Sequence, residues 1–161
     1  MTRRETPLRA SDILATLAEH DVDMVVIGGL AVQAHGHVRT TQDVDVLPSP
    51  DRANLERLAL ALRSLDARSE KGDDTRIDAE RIAAAQTLTL DSQAGGIDVH
   101  LSPPGADVYE RVRARALVIE VAGISVAVAG KDDLIAMKRA AGRPVDRGDV
   151  IALTSDEPQM S

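Results

Sequence analysis

Apolar residues recur along the chain at two spacings, three or four positions apart in some segments and every second position in others. The first spacing places the apolar side chains on one face of an α-helix. Ser11 is predicted to begin one such helix, and Ser49 followed by Pro50 to begin another. Gly142 is the residue type favoured just past a helix end, and Pro144 is expected to separate the last two helices. The predicted helices span residues 11–19, 30–34, 51–65, 107–115, 132–141 and 146–153.

The second spacing predicts strands, because successive side chains of a strand point to opposite faces of a sheet. Two pairs of alternating segments are each separated by a short turn that contains glycine, and each pair is predicted to form a β-hairpin. Residues 66–80 are charged and contain glycine, and we expect them to form a loop over the site described below. The predicted strands span residues 24–27, 43–47, 87–91, 97–101, 117–121 and 124–128.

The length and composition limit what the chain can be. Its 161 residues suit one domain with a hydrophobic core, and no repeat or long linker divides them. We therefore predict a single domain over residues 1–161, with residues 1–10 and 154–161 flexible. Hydrophobic residues make up 43% of the chain, but Phe and Trp are absent and Tyr109 is the single Tyr. The chain thus offers no aromatic platform on which a nucleobase could stack.

Charge and cysteine content exclude several classes of function. The formal net charge of −7 gives no overall attraction to nucleic acid, although a local patch of Arg and Lys can still bind it. The absence of Cys excludes disulfides, thiolate chemistry and Cys-based zinc sites. The N-terminal residues lack the apolar region of a signal peptide, and no stretch approaches transmembrane length. We predict a cytoplasmic protein with no membrane partner.

The candidate chemistry lies in one stretch, residues 25–47. Asp43 and Asp45 are two apart in a predicted strand, so both carboxylates lie on one face, where they repel each other unless a cation sits between them. Mg²⁺ takes oxygen ligands, often one or two carboxylates together with substrate phosphates. Gly28 and Gly29 follow the first strand, and without a Cβ they let backbone N–H groups approach an anion closely.

Each of these motifs alone has an ordinary explanation, since Gly-Gly after a strand is usually a tight turn and Asp-x-Asp is common on solvated strand edges. Taken together and in this order, they resemble the signature of the DNA polymerase β-like nucleotidyltransferase superfamily. Residues 28–45 as a whole resemble the small bacterial branch that includes AbiEii/MenT-type toxins and minimal nucleotidyltransferases. The resemblance implies an α/β (α+β) nucleotidyltransferase fold with a mixed, partly antiparallel sheet flanked by helices.

The resemblance also implies a third carboxylate on a neighbouring strand, and Asp98 is at the matching position. Asp98 and His100 alternate with Ile97 and Val99, so the two polar residues share a face. Asp43, Asp45 and Asp98 are then expected to bind two Mg²⁺ ions and to act as the catalytic residues. Two ions about 3.5–4 Å apart can stabilise the attacking and leaving oxygens of an in-line displacement. The alternative for Asp98 is a hairpin-edge acid that faces solvent.

The C-terminal helices extend the resemblance, because the branch has a helix with a Lys followed by Arg-Pro-Lys-Asp-x-x-Asp. Lys138 is expected to contact the triphosphate, and its alternative is a solvated helix face. Arg143, Asp146 and Asp149 are expected to brace the helix pair or to contact the nucleotide. Val145 stands where the branch commonly has Lys, which puts one acceptor or phosphate contact in doubt.

Two further polar groups lie between Gly29 and the acid pair. His35 and His37 are two apart, but no suitable third ligand is near them in the sequence, so a zinc site is rejected. Arg39, Thr40 and Thr41 precede the acids and are candidates either for phosphate contacts or for fixing the loop.

The function implied is Mg²⁺-dependent transfer of a nucleoside monophosphate from an NTP substrate to a hydroxyl. The acceptor stays open between tRNA, a protein and a small molecule such as an antibiotic, and a cognate toxin or antitoxin is a further possible partner. The acidity and short length of the chain disfavour a free-standing tRNA enzyme. The alternative from another class is an inactive nucleotidyltransferase fold that acts purely as a binding partner.

Overall fold

The fold is described from a computed structural model, which covers residues 6–70 and 75–155. The outermost parts of the predicted flexible ends, and residues 71–74 of the predicted loop, lie outside the described residues. The strands are β1 (Met24–Ile27), β2 (Asp43–Pro48), β3 (Arg68–Ser69), β4 (Thr87–Ser92), β5 (Gly95–His100), β6 (Leu117–Val121) and β7 (Ile124–Val128). The helices are α1 (Ala10–Glu19), α2 (Gly28–Ala34), α3 (Arg52–Ser64), α4 (Ala79–Ala84), α5 (Tyr109–Ala114), α6 (Lys131–Ala141) and α7 (Pro144–Thr154).

All these strands join one sheet in the order β3-β4-β5-β2-β1-β7-β6. Strand β2 runs antiparallel to β1 and parallel to β5, and β1 runs parallel to β7. The two predicted hairpins, β4–β5 and β6–β7, are antiparallel as expected. The prediction of a mixed, partly antiparallel sheet flanked by helices is therefore confirmed.

The central strands separate an apolar face from a polar one. Val44 and Val46 of β2 are fully buried, as are Ile97 and Val99 of the neighbouring strand β5. These residues belong to one continuous core with the leucines of α1 and α3, so the leucine stripe of α3 packs inside the protein. Because the strands alternate, the residues between these valines and isoleucines emerge on the opposite face, where the candidate carboxylates lie.

Each predicted helix start differs from the observed one by one or two residues, and three of these differences concern the residues predicted to begin or separate helices. Helix α1 already begins at Ala10, with no side-chain cap from Ser11. Helix α3 is capped by Asp51, whose carboxylate accepts a hydrogen bond from the Asn54 N–H, so Ser49 is not the cap. Pro144 is the first residue of α7 and does not merely precede it, since Pro suits that position, where its missing N–H costs no helical hydrogen bond.

The prediction of a loop over the site at residues 66–80 is wrong for the part that the structure describes. Residues Arg68–Ser69 form the edge strand β3, which pairs with β4. Ile77 and Ile82 lie in the core, which anchors the following segment and helix α4 against the protein. No described residue of this segment lines the cleft discussed below.

In the described part of the chain, no helix has the length and apolar character needed to cross a membrane.

Candidate functional site

A cleft of about 520 Å³ opens on the polar face of the sheet, between the start of α2, strands β2 and β5, and helix α6. Nine residues that the sequence assigns to the site, from four separate segments, line this one cleft, whereas the candidate Asp149 does not. The predicted residues that line it are Gly28, Gly29, Arg39, Thr41, Asp43, Asp45, Asp98, Lys138 and Arg143.

Asp45, Asp98 and His100 form the tightest group of possible ligands in the cleft. Asp45 of β2 and Asp98 of β5 are direct neighbours in the parallel register. Side-chain ligand atoms of all three residues lie within 4.8 Å of one another. The Nε2 of His100 is 2.8 Å from Oδ1 of Asp45, and each of these two side chains is 20% exposed.

Asp43 lies on the same face, one side-chain repeat before Asp45, and pairs in register with Gly96. It lines the cleft but does not belong to the group that Asp45 forms with Asp98 and His100. The structure thus adds His100 to the three predicted carboxylates. Alternation along the strand had already placed His100 on the face of Asp98, and that was the available sequence signal for it.

The glycine pair makes room for the acids and for a cation. Gly28 has a φ of +71°, a conformation that favours glycine, and a Cβ at this position would collide with the carboxylate of Asp45. A Cβ on Gly29 would lie 2.6 Å from a guanidinium nitrogen of Arg39. Thr41 donates a hydrogen bond to the backbone carbonyl of Asp43, 3.1 Å away, which supports its role in fixing the loop. Glycine is therefore required at position 28, and at position 29 it leaves room for the Arg39 side chain.

Alternating cations and carboxylates form a chain of ion pairs along one wall of the cleft, and we call this chain the charge ladder. Arg39 donates to Asp149 at 2.9 Å, and Lys138 lies 3.0 Å from the same Asp149 carboxylate. Lys138 also lies 3.3 Å from Asp146, which accepts from Arg143 at 2.7 Å. The Lys138 side chain is only 8% exposed, so its alternative reading as part of a solvated helix face is wrong.

Asp146 is fully buried, and its partners decide its charge. Burial alone would raise the pKa of Asp146, but the side chain and backbone N–H of Arg143, together with the Lys138 ammonium, hold the pKa below its ordinary value. The same contact raises the pKa of Arg143. Asp146 also caps α7 by accepting the N–H of Arg143 at 3.1 Å. The carboxylate therefore links the helix start to the cleft wall.

Asp146→Asn should lower the free energy of unfolding by about 2–3 kcal/mol at neutral pH, the scale of losing hydrogen bonds to a charged group. Because the pKa of Asp146 is depressed in the folded state, its stabilising contribution is present above the unfolded value near ~3.9 and is lost as the pH falls through the folded value. Urea titrations from pH 7 down to pH 3 should show the gap between wild type and variant narrowing at the acid end. A gap that stays constant over this range would contradict the assignment.

The carboxylates have the donor chemistry of a hard divalent cation. Asp45 and Asp98 are held side by side by strand register, and Asp43 adds a third carboxylate on the same face. Oxygen ligands of this kind suit Mg²⁺, whereas an imidazole ligand is more typical of softer metals. We therefore assign His100 as the hydrogen-bond partner of Asp45, with the carboxylates as the residues that fit the ion.

Two other candidates from the sequence lie where they do not contribute to the cleft. His35 ends helix α2, and its Nε2 is 2.9 Å from the backbone oxygen of Ala129, so it has a structural role. Tyr109 does not line the cleft, and its partial burial raises the pKa of its phenol, with Asp23 contributing. Tyr109 is therefore not placed where a nucleobase in the cleft could stack on it.

Comparisons with known proteins give a family and several similar folds. The sequence profile of the family described as "Nucleotidyltransferase of unknown function (DUF6036)" matches residues 9–155. No protein with a curated description matches the chain. Lincomycin-bound LnuA, a lincosamide antibiotic adenylyltransferase, superposes with a TM-score of 0.64 at 14% identity, covering 94% of this chain and 99% of that chain.

Two further solved structures resemble the chain at similar identity. ANT(2")-Ia in complex with adenylyl-2"-tobramycin has a TM-score of 0.57 at 15% identity, with 88% of this chain and 83% of that chain covered. An antigenic nucleotidyltransferase-like protein from Paracoccidioides brasiliensis has a TM-score of 0.57 at 15% identity, with coverage of 89% and 72%. At these identities the likeness shows a shared fold.

Proposed function

The chain belongs to this nucleotidyltransferase family, and from that membership we propose that it moves a nucleoside monophosphate from a Mg²⁺-bound NTP to a hydroxyl acceptor, with release of pyrophosphate. The observation that carries the proposal is that Asp43, Asp45 and Asp98 line the same cleft as the basic residues of the charge ladder. The arrangement offers ligands for a metal and cations for a triphosphate within one cavity.

Asp43, Asp45 and Asp98 would hold the ions, and two ions are proposed from the resemblance to the superfamily. Magnesium bound there would neutralise part of the charge of the triphosphate and increase the acidity of the acceptor hydroxyl.

The charged side chains that line the cleft are the reason for proposing a divalent cation. Four carboxylates and three basic side chains line the described part of the cleft, and the Asp149 carboxylate lies behind Arg39 and Lys138. Without added positive charge, this cleft would repel a triphosphate.

The charge ladder would hold the phosphates in a fixed position. Lys138 has two of its donors directed to Asp146 and Asp149, and its ammonium still lines the cleft. Arg39 is paired with Asp149 and lies beside Gly29, where a Cβ would collide with it. Because burial and ion pairing restrict both side chains, little conformational entropy remains to be lost when a phosphate binds. The proposed role of the ladder is therefore a preorganised anion site.

A small hydroxylated molecule is the acceptor class that we favour. LnuA and ANT(2")-Ia, whose folds this chain shares, are an antibiotic adenylyltransferase and an antibiotic-resistance factor. The cleft volume of about 520 Å³ lies in the range of small-molecule pockets. A tRNA acceptor is less compatible with a net charge of −7 and an acid-lined cleft. A protein acceptor within a toxin–antitoxin pair would require an adjacent cognate gene, which inspection of the gene neighbourhood tests.

The proposal is tested by incubating the chain with labelled NTPs and Mg²⁺ in the presence of aminoglycosides and lincosamides, total tRNA, or candidate proteins. Pyrophosphate release that depends on one acceptor class, with label in that acceptor, identifies the substrate. Nucleotide binding without release in any mixture would instead support the alternative of an inactive fold that acts as a binding partner.

Lys138→Ala should weaken binding of all four NTPs by a similar factor, about 1.5–3 kcal/mol each, because it removes one charged phosphate contact. Asp146 and Asp149 keep Arg143 and Arg39 as partners, so the variant should still fold. Calorimetric titrations with non-hydrolysable NTPs measure the effect, and thermal unfolding checks the fold. A strong preference for one base that disappears in Tyr109→Ala would contradict this account, since it would place Tyr109 over the bound nucleotide.

A further inference from the structure

A hydroxyl, an imidazole and a carboxylate form a continuous relay at the mouth of the cleft. Thr87 of β4 and His100 of β5 are direct partners in the antiparallel register. The Oγ1 of Thr87 is 3.4 Å from Nδ1 of His100, and Nε2 of the same ring is 2.8 Å from Oδ1 of Asp45. Thr87 is exposed and lines the cleft. The relay thus connects an accessible hydroxyl to one of the proposed metal ligands.

The Asp45 carboxylate holds the ring of His100 in place. It can only accept, so Nε2 of His100 carries the hydrogen of that contact. The other ring nitrogen, Nδ1, faces the Thr87 hydroxyl. A nucleophilic hydroxyl beside an imidazole, which is oriented by a carboxylate, is an arrangement that recurs in enzymes with covalent chemistry.

The other threonines near the cleft lack this arrangement. The Thr41 hydroxyl already donates to the backbone oxygen of Asp43 and packs beside Gly29. Thr89 lies on the same strand and face as Thr87 and pairs with Asp98, but it does not line the cleft. Thr40 is exposed and also lines the cleft, so what distinguishes Thr87 among these four described threonines is its contact with His100.

We propose that Thr87 is itself an acceptor, so that the enzyme transfers a nucleoside monophosphate onto its own chain. The proposal rests on the proposed function, because the NTP is bound and oriented by the same site. The Thr87 oxygen forms a bond to the α-phosphorus, and the bond between that phosphorus and the bridging oxygen to the β-phosphorus breaks. Pyrophosphate leaves, and the hydroxyl proton is released to the solvent at the open mouth of the cleft.

Modification of Thr87 would alter access to the site. The attached nucleotide would lie at the mouth of the cleft, beside His100 and the carboxylates, where an external acceptor has to enter. The modified enzyme is therefore expected to transfer more slowly to external acceptors than the unmodified enzyme. Because Thr87 lines the cleft of its own chain, the transfer occurs within one molecule, and its rate per chain should not depend on protein concentration.

The experiment incubates the full chain with Mg²⁺ and labelled ATP, GTP, CTP or UTP and no other acceptor, followed by intact-mass measurement and peptide mapping. The expected product carries one nucleoside monophosphate on the peptide that contains Thr87. Thr87→Val should abolish the label and Thr87→Ser should retain it, whereas Thr89→Val, the matched change on the same strand and face, should leave labelling unchanged. Asp45→Ala should abolish labelling, because it removes a proposed metal ligand.

Each of the other outcomes contradicts a specific part of the inference. A label that persists in Thr87→Val, or that maps to another residue, excludes Thr87 as the acceptor. An unlabelled wild-type chain that still transfers to an external acceptor excludes self-modification and leaves the proposed function intact. A chain that releases no pyrophosphate with any acceptor fails both. A labelling rate per chain that rises with protein concentration would show transfer between molecules and contradict the proposed geometry.

Discussion

Asp45→Ala is expected to lower Mg²⁺-dependent NTP turnover by about 10³-fold or more, and Asp43→Ala to have a comparable effect. Losing a metal ligand removes several kcal/mol of charge stabilisation in the transition state, and each ~1.4 kcal/mol corresponds to a factor of ten in rate. Substituting Asp45 should have the larger effect on turnover, because Asp45 also orients His100 and pairs with Asp98 in the sheet register. Both carboxylates face the cleft and not the core, so neither substitution should unfold the chain.

The measurement is pyrophosphate release with a saturating NTP and the best acceptor, across a range of Mg²⁺ concentrations. Asp132→Ala is the matched control, since Asp132 is an exposed carboxylate on α6 that does not line the cleft. Melting temperatures of both cleft variants should equal that of wild type or slightly exceed it, because one of several crowded like charges is removed. Full activity in either variant would refute the metal assignment at that position.

The parts of the site that depend on local periodicity could be predicted from the sequence. Alternation alone places Asp43 and Asp45 on one face of a strand, and it places Asp98 with His100 in the same way. The parallel register then brings Asp45 next to Asp98, and the two strands bury their apolar faces together. The sequence also predicted both hairpins, because the glycine-containing turns and the alternating flanks agree.

The charge ladder could not be predicted in detail, because its contacts join residues that are distant in the sequence. Arg39 and Asp149 are 110 positions apart, and no local pattern indicates that they meet. The resemblance assigned Lys138 to phosphate, but its burial between two carboxylates depends on how α7 packs against α6. The contact between His100 and Asp45 spans 55 positions and was missed for the same reason.

The predicted cap of α3 was wrong because more than one residue near the helix start can act as a cap. Asp51, not Ser49, caps the start of α3, and the sequence alone does not rank two cap residues that are two positions apart. The segment before α4 was wrongly predicted to be a loop over the site, because Ile77, which is buried, stands among charged residues in the sequence. One apolar residue among charges gives too little periodicity to predict an anchored segment.

The three carboxylates lie on two different strands, and their positions suggest different roles in binding and in transfer. Asp43 and Asp45 lie on β2, and Gly28 packs against Asp45, whereas Asp98 lies on β5 beside β4, the strand of Thr87. Phosphates held by Lys138 and Arg39 would lie near the glycine pair, because Arg39 contacts Gly29. Asp98 and the Thr87–His100 pair would then lie on the side where the acceptor enters. This placement predicts that binding and transfer respond differently to substitution of Asp98.

Asp98→Asn is therefore expected to keep NTP affinity within a few-fold of wild type, while transfer falls by about 10²–10³-fold. Asparagine preserves the size of the side chain, but it removes the negative charge that would complete the second metal site. Asp43 and Asp45 remain to hold the ion that binds the triphosphate. Calorimetric titration with a non-hydrolysable NTP, beside a transfer assay on the same preparation, separates the two effects.

The matched control is Asp91→Asn, the same substitution on the neighbouring strand of the same hairpin, at a residue that does not line the cleft. That variant should transfer at the wild-type rate. Equal losses of binding and transfer in Asp98→Asn would show that Asp98 holds the nucleotide or the fold. Unchanged transfer would show that Asp98 is a hairpin carboxylate without a catalytic role, and that the ion is held by Asp43 and Asp45 alone.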